Sequence, residues 1–192
     1  MRKLIYGVGF NSGGKHKTTE KEKHTKAYSS WKSILRRCYC PIALSKNPTY
    51  LGCVVSDEWH DFQVFAEWWH SNEFSAMGYQ LDKDLLSLNS KTYSPETCCL
   101  IPQSVNKLFN GYNAARGEHP IGVSFKKSIG KYVASMSVNS KVTHLGCFST
   151  ASQAHQAYVV GKEAYVKEVA NEWRGRIDER AYEALMRWTV KK

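Results

Sequence analysis

Residues 120–150 read PIGVSFKKSIGKYVASMSVNSKVTHLGCFST, and their period decides the fold of the C-terminal half. Val123 and Phe125 alternate with Ser124 and Lys126. Tyr132, Ala134, Met136 and Val138 alternate with Lys131, Val133, Ser135, Ser137 and Asn139. Thr143, Leu145 and Cys147 alternate with Val142 and His144. A period of two over short runs predicts three strands, with turns near Ile129–Gly130 and at Ser140. From Thr150 the period turns helical. Thr150 is a cap, and Ala154, Ala157, Tyr158, Gly161 and Tyr165 form a narrow stripe that lets a helix lie close against a sheet. The expected unit, residues 119–170, is a three-stranded antiparallel sheet packed on one helix.

One face of that sheet is apolar and covered. The other is expected to show Ser124, Lys126, Lys131, Ser135, Ser137, Asn139, Lys141 and His144, with nothing acidic between them. Such a face suits a DNA groove: lysines take phosphates, while Asn and Ser reach base edges. A merely solvated face normally mixes both charge signs.

The charge of the whole chain agrees. Its 192 residues carry 27 Lys and Arg against 17 Asp and Glu, a formal charge of +10. Residues 1–26 hold seven bases and two acids, and residues 119–150 hold four bases and no acid. Residues 27–118 are nearly neutral, with eight bases and nine acids. Basic blocks flanking a neutral unit favour a polyanionic partner, because Lys and Arg that neutralise phosphates release condensed counterions.

Upstream, Asn11–Lys26 is rich in Gly, Lys and Thr and lacks apolar residues, which predicts a flexible basic arm over residues 1–26. Residues 28–38 predict a helix capped by Ser29 or Ser30, with Trp31, Ile34, Leu35 and Cys38 on one face. Leu51–Val55 predicts a short strand. Asp61 caps a second helix that carries Phe62, Phe65 and Trp69 on one face. Leu81, Leu85, Leu86 and Leu88 give YQLDKDLLSL, residues 79–88, a core, yet Asp82, Lys83 and Asp84 put three charges in its middle. A buried strand does not accept three charges without a partner or a metal, so a loop or strand end is expected. Pro102 opens a third helix with Val105, Leu108 and Phe109 on one side. Gly111–His119 is a linker, and a last helix spans about 178–189 within a terminal segment, 171–192.

Two resemblances rest on these residues. GVSFKKSIGKYVASMSV and HLGCFSTASQAHQAY resemble the Apetala-type (ethylene-response-factor) DNA-binding domain. The matching positions are Gly122, Val123, Gly130, Lys131, Tyr132, Ala134, Leu145, Gly146, Phe148, Thr150, Ala154, Ala157 and Tyr158. The resemblance implies a sheet laid in the major groove of double-stranded DNA, held by Lys126, Lys127, Lys131, Ser135, Ser137, Asn139, Lys141 and His144. The plant members are rich in Arg on the strands, whereas this chain has none between Arg116 and Arg174.

Residues 27–112 are similar to the ββα-metal (HNH) nuclease finger in its bacteriophage form, which often precedes an Apetala-type domain. The likeness lies in LDKDLL, a turn, YSPETCCLIP and then Asn106, preceded by the WxxILxRCY segment, residues 31–39, and the Trp59–Trp69 segment. It implies Asp82 as metal Asp and Asn106 as helix ligand. Asp84, paired with Asp82 across one residue, is a further candidate ligand for Mg²⁺ or Mn²⁺. Lys83 stands where the family has its general-base His, and Tyr93 stands near the central Asn. With Asp82 and Asp84 beside it, Lys83 is held protonated, which suits a phosphate contact better than proton abstraction. Three routes stay open: metal-bound water with Asp84 as base, His60 or His70 borrowed from the adjacent helix, or a scaffold that binds without cutting.

The expected fold class is thus α+β, a degenerate ββα-metal finger unit plus a three-stranded antiparallel sheet packed on one helix. The expected function is DNA binding with metal-dependent, homing-type phosphodiester cleavage, with Asp82, Lys83 and Asp84 as catalytic residues. The alternative is a catalytically inactive phage DNA-binding or host-factor-interacting protein. No membrane and no small-molecule cofactor are expected as partners, and a protein partner is left unspecified. With no long apolar run or secretory signal, the expected compartment is the cytoplasm, that of the host cell if phage-encoded, with six free and mostly buried thiols. CYC (38–40), Cys98–Cys99 and Cys53 lack zinc spacing, GVGFNSGG (7–14) lacks a nucleotide-binding register, and His16, His24 and His155 are expected on the surface.

Overall fold

The computed structural model describes residues 4–87, 90–109 and 118–190. The chain is mixed α and β and divides into two compact units, Met1–Gln103 and Ser104–Lys192. Leu88 and most of the expected linker, residues 111–117, lie outside the described residues.

The first unit opens with a two-stranded antiparallel hairpin, β1 (Thr19–Glu20) and β2 (Lys23–His24). Helix α1 (Lys26–Tyr39) follows, capped by Thr25, whose hydroxyl accepts from the Tyr28 amide. The cap is thus four residues earlier than Ser29, because a hydroxyl caps only where the chain ahead of it is extended, as Thr25 is. A short helix α2 (Pro41–Lys46) leads to β3 (Val54–Val55). Helix α3 (Phe62–Ser71) is capped as expected by Asp61, which accepts from the Gln63 amide. Then come β4 (Gln80–Asp82), β5 (Thr92–Tyr93) and β6 (Cys99–Ile101). β3 pairs with β5 in parallel, and β4 pairs with β6 antiparallel, with Asp82 opposite Cys99.

The core of this unit is aromatic. Trp31, Trp59, Phe62, Phe65 and Trp69 are buried together with Ile34 and Leu35. Trp31 Nε1 donates to the Trp59 carbonyl at 2.7 Å, so its one polar atom is satisfied inside the core.

The N-terminal segment corrects the expected flexible arm. Phe10 donates its amide to the His60 carbonyl and accepts from the Phe62 amide, both at 2.9 Å. Gln63 Nε2 donates to Asn11 Oδ1 and to the His16 carbonyl. Gly9 is buried, and a Cβ there would lie 2.3 Å from Leu35 Cδ1 and 3.1 Å from Trp31. Polar composition alone suggested disorder, but the segment is tied down by backbone and amide hydrogen bonds, which composition does not reveal.

In the second unit, helix α4 (Gln103–Asn106) is one turn long rather than extending through Phe109. Phe109 instead packs on Trp188, ring centroids 5.4 Å apart. Strands β7 (Val123–Lys126), β8 (Lys131–Val138) and β9 (Lys141–Phe148) form one antiparallel sheet in the order β7-β8-β9. Helix α5 (Ala151–Trp173) is capped by Thr150, as expected, and buries Ala154, Tyr158 and Tyr165. It runs three residues beyond 170. Helix α6 (Glu179–Arg187) buries Ala181 and Leu185. Among the described residues no helix is long and apolar enough to cross a membrane.

Candidate nucleic-acid interface and the acidic turn

Two glycines let α5 approach the sheet. A Cβ on Gly161 would lie 3.2 Å from Leu145 Cδ1 and 3.5 Å from Met136 Sδ, and one on Gly122 (φ +80°) would overlap the Tyr158 ring at 2.0 Å. The parity of Ala134 and Met136 therefore faces α5, and the opposite parity is open.

Directly opposed residues of antiparallel strands share a face. The register places Ser124, Val133 and Cys147 in one row across the open face, and Lys126 beside Lys131 in another. Ser135 stands opposite His144, and Ser137 opposite Val142. Ser124, Lys126, Lys131, Ser135, Ser137 and His144 thus lie together as expected, with no carboxylate in any of these rows.

Three expected positions are corrected. The first is Asn139. It occupies a two-residue hairpin turn with Ser140, at φ values of 49° and 64°, and its side chain turns to the helix side. Tyr165 O–H donates to Asn139 Oδ1 at 3.1 Å, and the Asn139 amide donates to the Tyr165 oxygen at 3.2 Å. The second is Lys141, which pairs with Val138 across that turn and so takes the helix-side parity at the strand end. A two-residue turn puts the residues flanking it on one face, which simple alternation through the turn misassigns.

The third is Cys147, expected inward and in fact exposed. Between Ala134 and Ser135 the register shifts: Ala134 pairs with Gly146 and Ser135 with His144, leaving Leu145 as an extra residue in β9. This β-bulge breaks the alternation, so Cys147 turns outward and Phe148 inward. Cys147 Sγ lies 3.7 Å from His144 Nε2. Lys127 starts a 3-10 turn, Lys127–Ile129, and is exposed beside the face rather than on it.

In the first unit the acidic turn is bound to itself. Asp82 Oδ1 accepts from the amides of Asp84 (3.0 Å) and Leu85 (2.8 Å), capping the turn after β4. Burial raises the Asp82 carboxyl above its ordinary value, against the pull of those amides. Lys83 is only 6% exposed. Its Nζ is hydrogen-bonded to Asp84 Oδ1, donates to the Ser90 carbonyl at 3.2 Å and sits 5.6 Å from the centre of the Tyr93 ring. Burial pulls the Lys83 pKa down, but the hydrogen bond and charge of Asp84 outweigh it and the net shift is upward. Lys83 is therefore a buried cation, held by Asp84 and the Ser90 carbonyl within its own unit.

Tyr93, near the position of the family's central Asn, is buried, and desolvation raises its hydroxyl pKa despite the hydrogen bond with Arg37. Asn106 falls in the second unit while Asp82 and Asp84 belong to the first. Among the described residues no group of three or more His, Cys, Asp or Glu is placed to hold a metal ion. One oxygen of each carboxylate is already engaged, Asp82 Oδ1 by the amides of the turn and Asp84 Oδ1 by Lys83.

The histidines raised as substitutes have other contacts. His60 packs edge-on against Tyr39, and His70 stacks on His16 at 5.1 Å. His16 is half-buried and bonded to Glu67 at 2.9 Å, and His155 is half-buried and bonded to the Ile121 carbonyl at 3.0 Å, so neither is a free surface histidine. All six cysteines are reduced thiols, with Cys38, Cys53, Cys98 and Cys99 buried.

Sequence reasoning missed Tyr165 as the support of the hairpin turn and Val142 as a member of the open face. The Asn-Ser pair at a two-residue turn was the available signal for the first. Comparison with protein-family models, with curated proteins and with solved structures finds no match for the chain.

Proposed function

We propose that the protein binds double-stranded DNA through the open face of the β7-β8-β9 sheet. The observation that carries this reading is the composition of that face: Lys126 and Lys131 side by side, hydroxyls at Ser124, Ser135 and Ser137, an imidazole at His144, and no carboxylate in the segment 119–150. A sheet of this width enters the major groove with cations toward phosphates and small polar groups toward base edges. Lys127 and Lys141, at the margins, reach backbone rather than bases. The resemblance to the Apetala-type domain supports the same reading.

The order β4, β6, α4 along the chain supports the resemblance of residues 27–112 to a ββα finger. The engagement of Asp82, Lys83 and Asp84 with one another favours that unit as a scaffold that does not cut. Plasmid DNA incubated with the protein and Mg²⁺ or Mn²⁺ is then expected to stay supercoiled. Nicking by the wild type that Asp82→Ala abolishes would restore the endonuclease reading.

For binding, the test is the double variant Lys126→Ala/Lys131→Ala. It is expected to reduce the slope of log affinity against log salt by about two, near one for each phosphate left without its lysine. An unchanged slope removes the sheet as the DNA surface.

A further inference from the structure

The open face carries one side chain that folding does not explain. Val142 is 83% exposed, more than any other large apolar residue described. It stands opposite Ser137 on the open parity, while its neighbour Thr143, opposite Met136, takes the half-buried helix-side parity. A strand with one covered face should put the apolar residue in and the hydroxyl out, and both residues are β-branched, so strand propensity is indifferent to the order. Here the order is inverted. Local inversions of this kind, with the apolar side chain left in solvent, belong to sites that meet a ligand.

The chemistry of the face limits what Val142 meets in DNA. The described strands bear no arginine, so the bidentate guanine contact is missing. The serines hydrogen-bond to base edges of either kind. The apolar group displayed on the floor of the major groove is the C5 methyl of thymine.

We propose that this face selects thymine-bearing base pairs by packing Val142 against the thymine methyl, an inference that rests on the DNA-binding reading above. Lys126 and Lys131 supply affinity without sequence preference, and Val142 supplies the preference.

The test uses the full chain and two duplexes of alternating A·T sequence. One contains thymidine and the other deoxyuridine, so they differ only in the C5 methyl. Fluorescence anisotropy at one fixed salt concentration reads the affinities. The wild type is expected to bind the thymidine duplex about four-fold more tightly, the value of one methyl group removed from water. Val142→Ser, at an exposed position, is expected to bind both duplexes with the wild-type affinity for deoxyuridine DNA.

Equal wild-type binding of both duplexes, with the steep salt dependence intact, overturns this inference and leaves the DNA-binding reading standing. A thymine preference that survives in Val142→Ser overturns the assignment to Val142. Absence of salt-dependent binding to either duplex overturns the DNA-binding reading and this inference with it.

Discussion

Lys83 keeps its charge where a charge is costly to hold. It does so because Asp84 and the Ser90 carbonyl accept hydrogen bonds from its ammonium and the Tyr93 ring covers it. Asp82 does comparable work for the backbone, satisfying two amides that the turn would leave unpaired. Replacing Asp82 with Ala is expected to lower stability by about 1–2 kcal/mol in urea unfolding, the usual cost of removing a cap, without changing DNA affinity. The pH dependence has a definite sign. Burial raises the folded-state pKa of Asp82 above its ordinary 3.8, so protonation favours the folded chain. Its contribution is fully present below that value and is lost as pH rises through the folded-state pKa. Asp82→Asn, which stays neutral, is therefore expected to gain stability relative to wild type as pH rises through that window. A flat difference between the two across the same window would show that the carboxyl is not desolvated.

At the scale of the element, β9 is the informative strand. Its two-fold period was legible through Thr143 and His144, as were the Thr150 cap and the small-residue stripe of α5. The bulge at Leu145 was not legible, because one extra residue leaves the composition unchanged while reversing every side chain beyond it. The same limit explains Asn139: its polarity suggested the open face, whereas the turn geometry sends it to Tyr165. In the first unit the Asp61 cap and the aromatic face of α3 were legible from spacing. The partners of Lys83 were only partly so, since Asp84 adjoins it but Ser90 and Tyr93 come from a turn and a strand farther along. The bulge makes a direct prediction for thiol chemistry. In the folded protein a maleimide is expected to label Cys147 well before Cys38 or Cys98, which are buried and whose thiol pKa values are pushed up to about 12. Mass spectrometry of partly labelled protein distinguishes the sites. Packing gives a second prediction: Gly122→Ala, which forces a Cβ onto the Tyr158 ring at a positive φ, is expected to cost more than about 2 kcal/mol.

For the whole molecule, 22 of the 27 Lys and Arg behind the charge of +10 lie in the described residues. The basic N-terminal segment is part of the first unit, held by Phe10, Asn11 and His16 against the residues around α3. Deleting residues 1–17 is therefore expected to destabilise that unit as well as remove cations. Thermal melting should show a fall of roughly 4–8 °C for each kcal/mol of stability removed if the unit melts like a domain of about 100 residues. A truncated chain that melts at the wild-type temperature, yet binds DNA less tightly, would return the segment to the role of a loose arm. The second unit carries its own cations on a sheet supported by α5, so the DNA binding proposed for it should respond to Lys126 and Lys131 whether or not the N-terminal segment is present.

The outward turn of Cys147 also provides a spectroscopic handle. A nitroxide attached to this thiol, with half-buried Cys40 replaced by Ser, would sit in one row with Ser124 and Val133, on the surface proposed to meet DNA, while the four buried cysteines stay unlabelled. Its mobility in an electron paramagnetic resonance spectrum then reports occupancy of the open sheet face, and the broadening of its lines by a relaxation agent in solution reports whether that surface is covered.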